Sequence, residues 1–315
     1  MTEVYEGEWH RTFDAAGIRQ EHFNGRMLLW LNLQLGRTYT SLPEAMQAYA
    51  VSQGATNWSS LSLTGGGRGF NPAHLFPPGT LGAWHDFADI TSLAQASDGS
   101  TPVTAAGDLI GYAADKSGNG NHATQATSTA RMTYRDSAGV RYAESLDGTN
   151  WLNGVANPKW LHDGTGGYLA VACQAGIIAD PNVLFYIAGT RGHSIVNGFT
   201  MGFDDRASSS NNNASYMAIA TKFGVRAQDA ITPNTPHLLE ATIVSGANGA
   251  KFYVDGVLVS QATLSTPSAL DCTYPLNIGA GGNNDLPMTG YIHALITMNR
   301  VPTDAERAAV LAYYQ

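Results

Sequence analysis

Asp115-Lys-Ser-Gly-Asn-Gly-Asn-His-Ala123 and Leu146-Asp-Gly-Thr-Asn-Trp151 are two short, polar, glycine-rich stretches between apolar segments of a chain of 315 residues. Gly118 and Gly120 adopt left-handed backbone conformations without steric cost, and the asparagines that follow them tolerate such conformations. The apolar segments on either side have the composition of β-strands. The two stretches therefore predict tight turns in a protein that is rich in sheet.

After residue 80 the sequence alternates between apolar segments and turn residues. Lys251-Phe-Tyr-Val-Asp-Gly-Val-Leu-Val-Ser260 is the clearest hairpin, because Asp255-Gly256 supplies two positive-φ turn positions between β-branched strands. Val140–Leu146 partly alternates, as a half-exposed strand does, whereas Tyr168–Ala175 is continuously apolar. Pro302-Thr-Asp-Ala-Glu306 is a capping box that opens a C-terminal helix. Further strands are predicted at Leu109–Ala114, Val183–Ala188, Phe199–Phe203, Ser215–Ala220, Leu238–Val244, Pro275–Gly279 and Gly290–Met298.

These motifs resemble known domains. The two polar turns resemble the "DxSGNGNHAT … DGxxD" pattern of laminin-G-like, concanavalin A-like jelly-roll domains, and so do the FYVDGVLV hairpin and the T-x-x-E helix. Gly82-Ala-Trp-His-Asp-Phe-Ala-Asp89 and Thr101-Pro-Val-Thr104 resemble the version found in tailed-bacteriophage virion proteins. The resemblance covers roughly residues 80 to 315. It implies a mainly β fold, an antiparallel two-sheet jelly-roll sandwich, in a protein of the virion.

Residues 1–78 differ from the rest of the chain. Apolar residues at helical spacing predict short amphipathic helices at Met27–Leu35 and Leu42–Tyr49. Glycine- and proline-rich segments follow, ending at Pro77-Pro-Gly79. The sequence therefore predicts a small, partly helical N-terminal region, 1–78, and a jelly-roll domain, 79–315.

The N-terminal region carries Trp9, Trp30 and Trp58 but is too short to bury a large core by itself. This much aromatic surface predicts a partner. We expect the region to anchor the chain to other virion proteins and to hold a homo-oligomer together. The resemblance favours a trimer, because fibre-like virion appendages are commonly three-fold. The alternative is that the region folds back onto its own jelly roll.

Charge and composition exclude several classes of function. The net charge is −8 and no cluster of Lys and Arg occurs, which argues against nucleic acid as a ligand. The longest apolar run, Met27–Leu31, is too short to insert in a membrane, and the acidic N-terminus does not resemble a signal peptide. We therefore expect a protein made in the host cytoplasm and located in the virion, where its position as a tail, collar or head fibre stays open.

Catalytic patterns are missing from the sequence. Glycoside hydrolases on this fold use two carboxylates in an E-x-D-x-x-E motif. The closest match here, Glu144-Ser-Leu-Asp147, has one glutamate and different spacing. The missing motif predicts that the protein is not an enzyme. The resemblance implies a virion protein that presents its jelly roll for binding to host-surface glycan or for decoration. The alternatives are a polysaccharide-modifying enzyme with carboxylates brought together from separate loops and a purely architectural brace.

Candidate glycan-binding residues are aromatic or amide side chains in or beside loops, because sugars stack their C–H faces on aromatic rings. Trp160 and Tyr216 meet this description, together with the amides of Asn211 and Asn212. The alternative for the aromatic residues is a place in the core of the sandwich.

Calcium is the cofactor that the sequence allows for, since calcium prefers carboxylate and carbonyl oxygens on loops. In the alternative interpretation, the polar residues of the first turn bond backbone amides within that turn. Candidate oxygen ligands are Asp115, Asn119, Asn121, Asp147, Asp204 and Asp205.

The two cysteines, Cys173 and Cys272, lie in or beside predicted strands. They are interpreted as two small buried apolar residues, and a single disulfide remains the alternative.

Overall fold

The structure is a computed structural model. It describes residues 3–6, 9–12, 48, 70–137, 139–145, 148–176, 184–191, 197–204, 214–219, 223–228, 230–232, 234–265 and 267–314. The chain divides into two compact units, Met1–Asn71 and Pro72–Gln315, a few residues before the predicted boundary.

In the first unit, strands β1 (Glu3–Glu6) and β2 (Trp9–Thr12) form an antiparallel hairpin. The helix predicted at Met27–Leu35 lies outside the described residues. So does the helix at Leu42–Tyr49, apart from Ala48, whose backbone is helical.

The second unit is built from β-strands and one α-helix. Its described strands are β3 (Gly82–Asp86), β4 (Leu93–Ala94), β5 (Leu109–Ile110), β6 (Tyr112–Ala113), β7 (Ala123–Thr124), β8 (Met132–Ser137), β9 (Val140–Ser145), β10 (Leu152–Asn153), β11 (Gly167–Ala175), β12 (Leu184–Gly189), β13 (Phe199–Asp204), β14 (Ala214–Ile219), β15 (Phe223–Gln228), β16 (Pro236–Ile243), β17 (Gly246–Val254), β18 (Val257–Leu264), β19 (Asn277–Ile278) and β20 (Gly290–Met298). The helix α1 spans Asp304–Tyr314, and short 3-10 turns occur at Pro72–Leu75, Ile90–Ser92, Ser128–Ala130, Lys159–Leu161 and Gly282–Asn284.

The strands form two antiparallel sheets. Sheet I has the order β15-β14-β13-β12-β19-β10-β7-β6-β4, and sheet II has the order β18-β17-β16-β11-β20-β9-β8-β5. Within sheet II, β20 pairs with β11 on one side and with both β9 and β3 on the other. The predicted two-sheet antiparallel jelly roll with a C-terminal helix is confirmed. Among the described residues, no helix combines the length and apolar character that crossing a membrane requires.

The core lies between the two sheets. One cross-strand row of sheet I is apolar and fully or nearly buried, as at Met201, Ala188, Ile278 and Leu152. Alternate residues of β16, such as Leu239, supply the facing layer from sheet II. Strict alternation along each strand thus decides which side chains reach the core and which face outward. A fully buried Leu or Phe side chain in this layer contributes about 1.5–3 kcal/mol.

The prediction of a single strand at Leu109–Ala114 was wrong. The segment forms two strands, β5 in sheet II and β6 in sheet I, separated by Gly111. A Cβ atom at Gly111 would lie 2.1 Å from the carbonyl oxygen of Gln95, so only glycine fits where the chain crosses between the sheets.

The predicted hairpin and helix start are confirmed in detail. Asp255 and Gly256 have φ angles of 49° and 77°, and they join β17 to β18. At the start of α1, the Thr303 backbone N–H donates to Glu306 (2.7 Å), and the Glu306 backbone N–H donates to the Thr303 hydroxyl (3.2 Å). This reciprocal pair is a capping box.

Candidate ligand-binding site

The first polar turn is organised by the carboxylate of Asp115. Its Oδ1 accepts the backbone N–H groups of Trp84 (3.0 Å) and Ser117 (2.8 Å), and its Oδ2 accepts that of Asn121 (2.9 Å). Burial alone would raise the pKa of Asp115, but these hydrogen bonds lower it below its ordinary value. The charge of Asp115 is therefore used to tie the turn to strand β3.

The asparagines of this turn also serve the fold. Asn119 donates its Nδ2 to the carbonyl oxygens of Thr80 and Gly82, each at 3.1 Å. Asn121 donates its Nδ2 to Gly82 at 2.8 Å. This supports the alternative interpretation, in which the turn is structural, and it accounts for three of the six candidate calcium ligands.

The remaining calcium candidates are not brought together in the described part of the chain. Asp204, predicted in an exposed loop, is instead the last residue of β13 and is 1% exposed. Asp147 and Asp205 lie outside the described residues. Among the residues that are described, no three His, Cys, Asp or Glu side chains form a group that could hold a metal ion.

Trp160 is not available for stacking on a sugar, which corrects that prediction. It is 9% exposed and belongs to the core, where its Nε1 donates to the Thr297 hydroxyl at 3.1 Å. Tyr216 lies in β14, opposite Gly202 and Arg226, and only its backbone is described. Asn211 and Asn212 lie outside the described residues.

A different set of side chains converges on the outer face of sheet II. We name Arg135, Tyr142, Glu144, Tyr291 and His293 the Tyr142 patch. The rings of Tyr142 and Tyr291 stack with centroids 4.3 Å apart, and the His293 ring meets Tyr142 edge-on at 5.6 Å. Both tyrosines and His293 are partly exposed. The patch therefore presents aromatic surface to solvent.

An ion pair adds polar groups to the Tyr142 patch. The Arg135 Nε donates to a carboxylate oxygen of Glu144, which faces the same side of the sheet. Glu144 is 6% exposed, whereas Arg135 is partly exposed. The pair places the N–H groups of the Arg135 guanidinium at the surface. The buried carboxylate of Glu144 balances their positive charge.

A hydrogen bond to the backbone orients His293. Its Nδ1 lies 3.1 Å from the carbonyl oxygen of Arg141, and because a carbonyl only accepts, Nδ1 is assigned the proton. Nε2 then carries a lone pair, and it is buried without a hydrogen-bond partner in the described ranges. Burial lowers the pKa of His293, which keeps the ring neutral near pH 7. The ladder between β11 and β20 is irregular here, and such bulges re-aim side chains.

A pocket of about 400 Å³ adjoins the patch and shares His293 with it. Its wall also includes Val140, Ala172, Leu238 and Tyr314. Sites for small ligands commonly have volumes of about 300–1,000 Å³ and combine apolar walls with a few polar groups. The pocket and the Tyr142 patch together have the character of a site for a small polar ligand.

Cys173, His237 and Asp255 also line this pocket and have the residue types of a nucleophilic triad. Asp255 bonds the His237 Nδ1 at 2.7 Å, but the Nε2 of His237 accepts the Thr232 backbone N–H at 2.9 Å. Burial raises the pKa of the Cys173 thiol to about 12. With no free base and no thiolate, the set cannot activate a nucleophile. It holds the Asp255–Gly256 turn against β16.

The cysteines do not form the alternative disulfide, since both thiols are free. Cys173 is buried, as predicted, and Cys272 is partly exposed. The Sγ of Cys272 lies 3.6 Å from the Nδ1 of His162, and burial raises the pKa of the Cys272 thiol to about 11.

The Tyr142 patch was missed at the level of the sequence, although a signal was present. Val140–Leu146 was predicted as a half-exposed strand, and its alternation sends Ala143 and Ser145 inward. Tyr142 and Glu144 must then face outward. The sequence did not reveal that β20 brings Tyr291 and His293 beside them, because that pairing joins residues far apart in the chain.

Residues 179–306 match the Laminin_G_3 family model, described as the concanavalin A-like lectin/glucanases superfamily. The match supports a lectin-type jelly roll. No curated protein matches the chain.

Solved structures with a similar fold come from several glycan-related proteins. The CBM40 of Ruminococcus gnavus IT-sialidase is 13% identical with a TM-score of 0.42, over 54% of this chain and 96% of that one. Domain 4 of AbnA, an arabinanase from Geobacillus stearothermophilus in complex with arabinotriose, is 14% identical with a TM-score of 0.46, over 73% and 97%. Trypanosoma rangeli sialidase in complex with sialic acid is 10% identical with a TM-score of 0.49, over 75% and 33%. At this level of similarity, the ligands of these proteins are not assigned to this chain.

Proposed function

We propose that this chain is a tailed-bacteriophage virion protein whose jelly roll binds a glycan on the host surface. The observation that carries glycan binding is the Tyr142 patch with its adjoining pocket. There, within the described residues, stacked aromatic rings, hydrogen-bonding side chains and a cavity coincide. The match of residues 179–306 to a lectin-type family supports the same function.

The chemistry of the patch suits a sugar ring. Partly exposed tyrosines offer faces and edges for the C–H groups of a sugar. Arg135 offers N–H donors for hydroxyl groups, and the tyrosine hydroxyls can donate or accept. A few such contacts give weak affinity in one copy, since each neutral hydrogen bond contributes only about 0.5–1.5 kcal/mol. Several linked copies would raise the effective affinity without new contacts.

Binding without catalysis is part of the proposal. The three glutamates beyond residue 79 each have a partner that uses the carboxylate. Glu144 bonds Arg135, and Glu240 bonds Arg307. Glu306 bonds Arg300 and the N-terminus of α1. These contacts occupy the carboxylates of all three glutamates.

The virion context rests on the resemblance of the segments at residues 82–89 and 101–104 to phage proteins. In this proposal residues 1–78 attach the chain to other virion proteins, and the jelly roll faces the host. Localisation of the chain by density on intact particles would test this part directly.

Glycan binding is tested with purified full-length protein on an array of bacterial surface polysaccharides, followed by titration of the best ligand. We expect Tyr142→Ala and Tyr291→Ala each to weaken binding about tenfold, which corresponds to about 1.4 kcal/mol of lost stacking. The matched control is Tyr112→Ala. Tyr112 is also partly exposed and packs on His122 with ring centroids 5.1 Å apart, but it lies in sheet I.

Two results would contradict the proposal. Binding that survives both tyrosine substitutions would remove the patch as the site. Depolymerisation of a bound polysaccharide, measured as new reducing ends, would favour the polysaccharide-modifying enzyme instead.

A further inference from the structure

We infer that Glu144 makes the Tyr142 patch selective for uncharged sugars by cancelling the charge of Arg135. This inference rests on the proposed glycan-binding function and adds the chemical class of ligand. It concerns the opposite charges of Arg135 and Glu144, which lie on neighbouring strands β8 and β9 and face the same side of the sheet.

Arg135 is the cation within the patch. Its side chain is 37% exposed, so the guanidinium is within reach of a ligand on the outer face. An arginine in this position would ordinarily attract a carboxylate, because its planar fork matches the two oxygens.

Glu144 changes that preference. Its side chain is only 7% exposed, and its carboxylate holds the Nε of Arg135 from within the sheet. The remaining N–H groups of the fork can still donate to a neutral hydroxyl. A sugar carboxylate in the same place would meet the negative charge of Glu144 as well as the positive charge of Arg135.

In the part of the chain that the structure describes, the other groups facing the site add no unpaired positive charge. Burial lowers the pKa of His293 and keeps that ring neutral near pH 7. Burial, together with Tyr291, raises the pKa of the Tyr142 phenol, which stays protonated. The nearby Arg141 is paired with Asp136 at 2.9 Å. Asp255, which also lines the pocket, is an acid paired with His237.

The experiment uses full-length protein on an array of matched pairs, in which each neutral oligosaccharide is printed beside its sialylated or uronic-acid-bearing counterpart. The measured quantity is the ratio of acidic to neutral affinity. For wild type we expect a ratio of 0.1 or less, on the order of a tenfold preference for neutral sugars. We expect Glu144→Gln, which keeps a side-chain amide oxygen for Arg135, to raise that ratio about tenfold. Salt screens such charge effects, so the gain should shrink in 0.5 M NaCl.

A second variant, Arg135→Gln, should change the ratio of acidic to neutral affinity in the opposite direction. It leaves the charge of Glu144 uncompensated and should lower the ratio below that of wild type. The inference is overturned if wild type prefers acidic sugars, or if neither substitution changes the ratio. If wild type binds no sugar on the array, the proposed function is refuted. If wild type binds and its ratio is unaffected by both substitutions, only the inference fails.

Discussion

Glu240 and Arg307 form a buried ion pair beneath helix α1. The two side chains are 0% and 8% exposed, and the Arg307 Nη2 lies 3.0 Å from the Glu240 Oε2. The Tyr168 hydroxyl donates to the same carboxylate at 2.7 Å, and the guanidinium lies over the Tyr253 ring at 3.4 Å. Each polar group in this cluster has a partner, so the cost of burying the two charges is offset by several contacts.

We predict that Arg307→Leu lowers the free energy of unfolding by about 3–5 kcal/mol, because it leaves Glu240 charged and unpaired. The double variant Glu240→Leu/Arg307→Leu should recover part of that loss, since neither charge remains buried, while the Tyr168 hydroxyl loses its acceptor. Urea unfolding followed by tryptophan fluorescence measures both variants.

The control for this prediction is Arg141→Leu. Arg141 pairs with Asp136 at the surface, with side chains 47% and 34% exposed. Exposed pairs contribute about 0–1 kcal/mol. Equal losses for Arg307→Leu and Arg141→Leu would show that the buried cluster has no special role.

His85 predicts a pH dependence of stability. It lies on β3, is fully buried, and burial lowers its pKa from 6.5 to about 4. Its Nε2 has no hydrogen-bond partner in the described part of the chain. As the pH falls from 6.5 to 4, the unfolded chain takes up a proton at His85 and the folded chain does not. The free energy of unfolding should therefore fall by about 3 kcal/mol over this window.

His85→Leu should remove that contribution and flatten the curve between pH 6.5 and 4. Burial also lowers the pKa of His293, so some slope remains in the variant. Chemical denaturation at half-unit pH steps measures the effect. Identical slopes for wild type and variant would contradict the prediction.

At the scale of elements, the crossing at Gly111 is a tightly constrained connection between the sheets. We predict that Gly111→Ala destabilises the jelly roll severely, because the new Cβ would lie 2.1 Å from the Gln95 carbonyl oxygen and 2.9 Å from the Arg131 Nε. The matched control is Gly154→Ala, also a glycine without positive φ, whose nearest contact is the Leu276 carbonyl oxygen at 3.1 Å. Thermal unfolding should show a much lower Tm for the first variant only.

Local chemistry made some elements predictable from the sequence. The Asp255–Gly256 turn and the Thr303–Glu306 capping box depend on residues a few positions apart, and both are confirmed. The polar turn at Asp115 was also found, with its structural role as one of two interpretations.

Features that depend on distant pairing were not predictable. The run Leu109–Ala114 has uniform strand character, and only the assembled sheets show that it divides between them. Trp160 beside a loop looked available, but its indole fits the core against Thr297. The Tyr142 patch needs β9 and β20 side by side, which no local pattern specifies.

At the scale of the whole molecule, Pro72–Gln315 is a compact unit with its own core. We predict that this fragment folds alone and is monomeric, whereas the full chain is a homotrimer held by residues 1–78. A two-sheet sandwich of this length has enough buried apolar surface to be stable independently. Light scattering on both proteins measures the masses. A monomeric full chain would refute assembly through the N-terminal region, and an insoluble fragment would show a shared core.

The central position of β20 has a consequence for biosynthesis. This strand is synthesised after β3, β9 and β11, yet it pairs with all three. Arg300, just after it, donates to the Leu75 carbonyl oxygen at 2.8 Å, so the two ends of the jelly roll are joined. Until β20 has been synthesised, β3 and β11 have no neighbour at this position. Sheet II is therefore completed only once β20 is available, in a slow step dominated by contacts between distant residues. A chain that stops before residue 290 would leave the edges of β3 and β11 unpaired and would aggregate.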